Sequence, residues 1–327
     1  MTQALSLVAA VAVIALIAAL LWAAPGGRPH DAVAPDDPET AEVSEADTEA
    51  AERATQQALD ERPPVQLPEG IEALRDAAEE AARALPYEFT LMTFNVLGSN
   101  HTVPGGTAPG YAPGRQRAGW AADLLLRDQP DIVGFQELQR DQYAILRERL
   151  GDTWTFYTPQ GPGAVQTTVM WRTEMWEPTW TSALATAFVA GPRVRPMVRL
   201  RHRTSLREIY LVNVHNSPGG RQSERDAAMR IQIPALNELR KDGIPVFFIG
   251  DLNERAGVFC TVTTRTDLYA ARGGSRGTPC RPPSGRLRVD WIFGSGGVTF
   301  SGYREDRSAM VPRITDHAVI SARVHVP

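Results

Sequence analysis

Residues 245–254 read Pro245-Val246-Phe247-Phe248-Ile249-Gly250-Asp251-Leu252-Asn253-Glu254. The first five form an apolar run of strand length, enough to cross a buried sheet and too short for a core helix. Gly250 ends the run, and a carboxylate and an amide follow at alternate positions. An Asp or Asn at a strand end is by itself an ordinary turn former; what carries information here is repetition. Asn95 ends Met92-Thr93-Phe94-Asn95-Val96, and Glu137 ends Gly134-Phe135-Gln136-Glu137. Asn213 and His215 end Val212-Asn213-Val214-His215-Asn216. Asp290 sits in Val289-Asp290-Trp291-Ile292-Phe293, and Thr315-Asp316-His317 leads into the last apolar run. Polar groups at successive strand ends converge on one rim of a layered α/β sheet, where active sites of such proteins lie.

Working outward, short apolar runs at 89–96, 131–135, 197–203, 208–215, 245–249, 289–293 and 319–326 predict strands. The runs 197–203 and 208–215 are expected to pair through a turn at Thr204-Ser205. Helical periodicity marks 118–126 and 224–240, the second expected to kink or divide at Pro234. The run Gly273-Gly274-Ser275-Arg276-Gly277 has the letters of a serine-hydrolase elbow. It lacks the preceding strand and following helix, and reads as a loop.

The formal net charge of −4 conceals a split: residues 1–86 hold 16 acidic and 5 basic side chains, a net −11, and residues 87–327 hold 22 and 29, a net +7. A hydrophobic content of 43% with 25 prolines excludes a coiled coil, a collagen-like chain and wholesale disorder. Two cysteines exclude a disulfide scaffold and a multi-cysteine zinc protein. Lys241 is the only lysine beside 33 arginines, which genome codon bias accounts for.

Residues 1–27 lack charged side chains, and 4–24 are apolar except for Ser6. A helix over that run would be about 31 Å long, enough to cross a hydrocarbon core. The reading is a transmembrane anchor that inserts into a membrane through residues 4–24, or else a signal sequence. Residues 28–68 read as an acidic disordered linker. Residues 69–86 read as an amphipathic lead-in helix through Ile71, Leu74, Ala78, Ala81 and Leu85, and 87–327 as one large α/β domain. The expected placement is membrane-anchored with an extracytoplasmic domain, or secreted if the leader is cleaved.

The order and spacing of these motifs resembles the endonuclease/exonuclease/phosphatase superfamily, over about residues 88–326. That resemblance implies a four-layered α/β sandwich with two mixed β-sheets flanked by helices. It implies a Mg²⁺-dependent phosphoester hydrolase, with Mn²⁺ or Ca²⁺ as substitute ions. Such catalysis must neutralise phosphoryl oxygen charge and position water. By resemblance, Asn95, Glu137 and Asp316 hold the metal, and Asn95 also touches phosphate. Asp290 orients His317, which serves as general base or electrostatic clamp. Asp251 aligns or deprotonates the attacking water. Asn253 holds a phosphoryl oxygen, Asn213 contributes to substrate binding, and His215 faces the phosphate or protonates the leaving oxygen.

Departures narrow the branch. Leu97 stands where abasic-site endonucleases carry an acidic residue, and Thr167 and Thr168 stand where many members have an Asn. Arg115 and Arg117 read equally as phosphate contacts and as surface charges. Cys260 and Cys280, with nineteen residues between them, suggest a disulfide, which the resemblance to secreted members supports; two buried free thiols are the alternative. The +7 body favours extracellular nucleic acid or another phosphodiester as substrate. A phospholipid or an inositol phosphate is the alternative, and a non-catalytic binding protein keeping the fold is a second. No obligate protein partner is indicated.

Overall fold

The computed structural model describes residues 45–63, 72–189 and 191–327. Helix α1 spans Glu45–Asp60 and α2 Glu72–Arg83, followed by β1 Tyr87–Asn95, α3 Gly114–Asp128, β2 Ile132–Gln136, α4 Arg140–Leu150, β3 Trp154–Tyr157 and β4 Val169–Arg172. The second half runs β5 Trp176–Ala187, β6 Pro192–His202, β7 Glu208–His215, α5 Gln222–Arg240, β8 Val246–Asp251, α6 Ala256–Arg265, β9 Tyr269–Ala270, β10 Asp290–Gly294, β11 Thr299–Asp306, α7 Val311–Ile314 and β12 Val319–Val326.

Two mixed six-stranded sheets result, ordered β11-β12-β1-β2-β4-β3 and β5-β6-β7-β8-β10-β9. Each has one parallel pair, β1 with β2 and β7 with β8, among antiparallel neighbours. The inner faces pack against each other through Leu91, Ile132, Leu211, Phe247, Ile249 and Ile320. The outer face of the first sheet buries Phe94, Phe135 and Met170 under Leu124, Leu125 and Leu146 of α3 and α4. The outer face of the second buries Val212, Phe248 and Phe293 under Leu236 and Leu239 of α5 and Phe259 of α6. Helix, sheet, sheet, helix is the four-layered sandwich expected from the sequence.

Two glycines let these layers close. A Cβ on Gly134 would lie 2.7 Å from the Asn213 side chain of the facing sheet. A Cβ on Gly250 (φ 139°) would lie 1.9 Å from the carbonyl oxygen of Val214 on the neighbouring strand. Only glycine allows such approaches.

Most expected elements stand, with ends shifted by a few residues. Helix α5 runs unbroken through Pro234, because Ile231, Ile233, Ala235 and Leu236 are buried around it and packing holds the turn. Strand β5 went unpredicted: its run of Thr, Ser and Ala is weakly apolar, and Pro178 marks a register shift against β6.

The amino-terminal expectations need correction. Residues 45–60, inside the stretch expected to be a disordered linker, form α1. Ala51, Thr55 and Leu59 recur every four residues and are buried, with Ala51 and Leu59 joining the core outside the second sheet. Arg62 continues the docking with an ion pair to Asp242 (2.9 Å) and a stack over the Tyr210 ring. A stripe of small residues with one leucine escapes a hydropathy reading yet fits closely against a strand surface. Helix α2 falls within the expected lead-in helix; of the predicted stripe Ile71 lies outside the described residues, Ala78 is half-buried, and Ala81 and Leu85 are exposed, while Ala82 is buried.

Among the described residues no helix is long and apolar enough to cross a membrane. The run 4–24 that carried the anchor reading lies outside them. The expected membrane-anchored, extracytoplasmic placement is therefore withdrawn.

Candidate active site

The rim formed by the carboxyl ends of β1, β2, β7 and β8 gathers most of the predicted residues. Because β10 and β12 run antiparallel to their neighbours, their amino ends meet the same rim. In the second sheet His215, Asp251 and Asp290 stand in one row across β7, β8 and β10. In the first, Asn95 closes β1 and Glu137 follows β2.

Asp251 lies at the centre and is 1% exposed. Its Oδ2 accepts the Asn95 amide (3.1 Å) and stands 3.5 Å from His215 Nε2 and 3.7 Å from His317 Nε2. Its Oδ1 accepts the backbone N–H of Asn253 (2.9 Å). The Asn253 side chain donates to the Asn216 carbonyl (2.8 Å), fixing it at the mouth of the rim. His317 Nδ1 faces both oxygens of Asp290 at 3.0 Å. Glu137 Oε1 accepts the Asn95 amide (3.0 Å) and Oε2 the Gly98 N–H (3.0 Å).

Burial and charge separate these groups. Burial pushes the His215 pKa down to about 3, with Arg195 and His317 adding to the effect against Glu137, so its imidazole is neutral. Burial also opposes protonation of His317, but Asp290 and Asp251 outweigh it and lift the pKa to about 10, giving an imidazolium. Burial raises Asp251 to about 7, tempered by His317. Burial works to raise Glu137, yet the charge His215 carries when protonated, the Asn95 amide, the Gly98 N–H and a protonated His101 hold it below the ordinary carboxylate range.

Three predicted residues sit differently from expectation. Asn213 is fully buried between the sheets, donating to the carbonyls of Phe135 (2.9 Å) and Thr168 (3.2 Å) and accepting from Gln136 (2.7 Å). Its amide joins the two layers and is not available to substrate. Asn95 Oδ1 accepts the Leu97 N–H (3.0 Å), so its NH₂ faces both carboxylates. Asn95 braces Glu137 and Asp251 through its NH₂, while its oxygen accepts the Leu97 N–H. Asp316 is exposed and makes no hydrogen bond or ion pair among the described residues, so the structure does not join it to Glu137.

The fit to a divalent ion rests on donor atoms. Ligand-capable atoms of Glu137, His215 and Asp251 lie within 4.8 Å of one another, as do those of Asp251, Asp290 and His317. Carboxylate oxygens of this kind suit Mg²⁺ or Mn²⁺, and the residues present fit such an ion.

Two residues were not recognised in the sequence. His101, in the 3-10 turn Ser99–His101 after β1, places Nε2 3.3 Å from Glu137 Oε2. A single His in a Gly/Pro loop gives no pattern; its place in a loop leaving a strand end was the only signal. Arg195 on β6 is fully buried, stacks on Phe188 and has no hydrogen-bond partner among the described residues. The edge of Phe188 in turn meets the His215 ring, 4.8 Å between centroids.

The remaining side chains are structural. Arg117 is buried and donates to the carbonyls of Val96 (2.7 Å), Ile314 (2.8 Å) and Ala112 (2.9 Å), while Arg115 is exposed. The hydroxyls of Thr167 and Thr168 are taken by the Val194 and Val165 carbonyls. A disulfide joins Cys260 of α6 to Cys280 in the loop between β9 and β10. Glu137, Leu97 and Asn253 all have positive φ (61°, 54° and 50°), so the rim holds its side chains through sparsely populated backbone states.

Comparison with known proteins agrees with this fold. A mannosyl-6-phosphatase from Bacteroides thetaiotaomicron superposes with a TM-score of 0.59 at 16% identity, covering 72% of this chain and 99% of its own. A family protein from the same organism gives 0.59 at 15% identity, covering 74% and 96%. Truncated TDP2 from Caenorhabditis elegans gives 0.53 at 19% identity, covering 73% and 98%. No curated protein matches by sequence. The sequence model of the Endonuclease/Exonuclease/phosphatase family matches residues 92–317, which takes in every rim residue described above, and the chain belongs to that family of phosphoester hydrolases.

Proposed function

We propose that this protein hydrolyses phosphoesters with a divalent cation held by Glu137, and that a phosphodiester, nucleic acid among them, is the substrate. The observation that carries this reading is the convergence on Asp251 of the His215 and His317 imidazoles and the Asn95 amide, which also braces Glu137. A bound cation would supply charge neutralisation for the phosphoryl oxygens.

The protein's own groups divide the remaining work. A pKa of about 10 keeps His317 protonated at neutral pH, so it acts as an electrostatic clamp on a phosphoryl oxygen and not as the base. Asp251, with a pKa of about 7, can align a water and take its proton. The neutral His215 faces the same space and can bind a phosphate oxygen. Asn253 sits at the rim's mouth, where its amide meets an oxygen of the substrate. The +7 surplus of residues 87–327 favours polyanions.

Turnover of bis-p-nitrophenyl phosphate by the full chain with Mg²⁺ or Mn²⁺ tests this. Asp251→Ala and His317→Ala are expected to lower kcat at least ~10²-fold. Absence of turnover with every divalent ion would sink the reading. Plasmid DNA, RNA, sphingomyelin and inositol phosphates then discriminate among substrates.

A further inference from the structure

The carboxylate of Glu137 has an imidazole on each side. His215 Nε2 stands 4.0 Å from Oε1, and His101 Nε2 stands 3.3 Å from Oε2. Neither approach is a hydrogen bond. The other ring nitrogen of His101, Nδ1, is engaged by the Thr107 hydroxyl at 2.8 Å. In the tautomer whose Nδ1–H donates to that hydroxyl, Nε2 turns a lone pair toward the Glu137 carboxylate oxygen, and a cation between the two would satisfy both. Neighbouring ligand atoms around an ion with bonds of about 2.1–2.2 Å lie about 3 Å apart, close to the observed separation.

The loop is built to hold this ring. The Ala108 N–H donates to the His101 carbonyl (2.8 Å), closing the chain back on itself and bringing Thr107 under the ring. A Cβ on Gly106 would lie 2.3 Å from the same carbonyl, so only glycine permits the closure. A ring nitrogen fixed by a polar partner while the other faces a carboxylate is the arrangement in which proteins orient metal-binding histidines. The His101 side chain is 32% exposed, so an ion can reach it.

We infer that His101 is a nitrogen ligand to the cation held by Glu137, and that it biases the site from Mg²⁺ toward Mn²⁺. The inference rests on the reading of Glu137 as the cation's carboxylate. Mg²⁺ keeps an oxygen shell, whereas affinity for imidazole rises along the first-row divalent ions. His101 thus adds preference for a softer ion at a position that an all-oxygen site would leave to water.

The test uses the full chain loaded with Mn²⁺, without substrate. Pulsed EPR of bound Mn²⁺ is expected to show ¹⁴N modulation from imidazole that falls in His101→Gln and persists in part in His101→Gln's counterpart control, Thr107→Val, where the ring is loosened but kept. Calorimetric titration is expected to give a loss of Mn²⁺ affinity of about 10-fold or more in His101→Gln, with Mg²⁺ affinity changed less than twofold. Equal thermal midpoints of the metal-free proteins would show that the loop substitution leaves the fold intact. Wild-type ¹⁴N modulation that is absent, or unchanged in His101→Gln, would overturn the inference. Hydrolysis without that modulation would leave the phosphoesterase reading standing and remove only this ligand. Modulation without hydrolysis would do the reverse.

Discussion

Asp290 holds His317 with both carboxylate oxygens, each 3.0 Å from Nδ1. Against burial, that pair and Asp251 raise the imidazole to about 10. Asp290→Asn is expected to bring the His317 pKa well below that value in an NMR titration of metal-free protein. Since the folded pKa lies above the ordinary 6.5, the pair's stabilisation is complete below pH 6.5 and disappears as pH rises through about 10. The gap in thermal midpoint between wild type and Asp290→Asn should therefore narrow between about pH 7 and about pH 10.5. A gap independent of pH would contradict the assignment.

Arg117 ties together backbone that leaves β1 and backbone that enters the His317 segment, through Val96 and Ile314. Arg117→Met leaves several buried carbonyls without donors. It is expected to cost about 3–5 kcal/mol in urea unfolding, with Arg117→Lys intermediate. A change below about 1 kcal/mol would show that water replaces the guanidinium without penalty.

Arg195 presents the opposite case. Among the described residues none of its three buried guanidinium nitrogens has a hydrogen-bond partner, and burial, with Arg193 adding to it, lowers the pKa to about 9. Arg195→Met removes a buried unpaired charge and keeps the stack on Phe188 apolar. Stability is expected to rise by about 1 kcal/mol or more in the same unfolding measurement. A loss of stability would mean that the guanidinium is satisfied by a group that the described residues do not include.

His202 lies far from the rim, stacked on Tyr87 at 4.6 Å, and burial lowers its pKa to about 4. Its unfolded value is near 6.5, so the unfolded chain takes the proton first. Stability should fall as pH drops below 6.5 and level off near pH 4. His202→Gln is expected to flatten that slope in thermal melts from pH 7 to about pH 4.

How far the sequence could be read depends on the physical nature of each signal. Strands ending in Asn95, Glu137, His215 and Asp251 were visible because period and polarity change at one residue. The Asp290–His317 pair followed from the motif order. Asn213 looked like its neighbours in the string, yet it lies one layer deeper, and the facing Phe135 and Thr168 carbonyls claim its amide. Only the packing of the second sheet against the first reveals that. His101 and Arg195 had no periodicity to betray them; one depends on a loop closing back on itself, the other on an aromatic ring folding over it. Helix α1 was hidden for a different reason, since Ala51, Thr55 and Leu59 bury little apolar area and sit in a strongly acidic run.

The docking of that helix redraws the limits of the cooperative unit. Tyr210 and Leu184 belong to the same core as Ala51 and Leu59, so a cut at the charge boundary near residue 86 would strip cover from an edge strand. The acidic stretch that holds α1 supplies a wall of the folded body. A protease challenged with the native protein should therefore spare the segment 45–63, and the shortest independently stable version of this enzyme begins there.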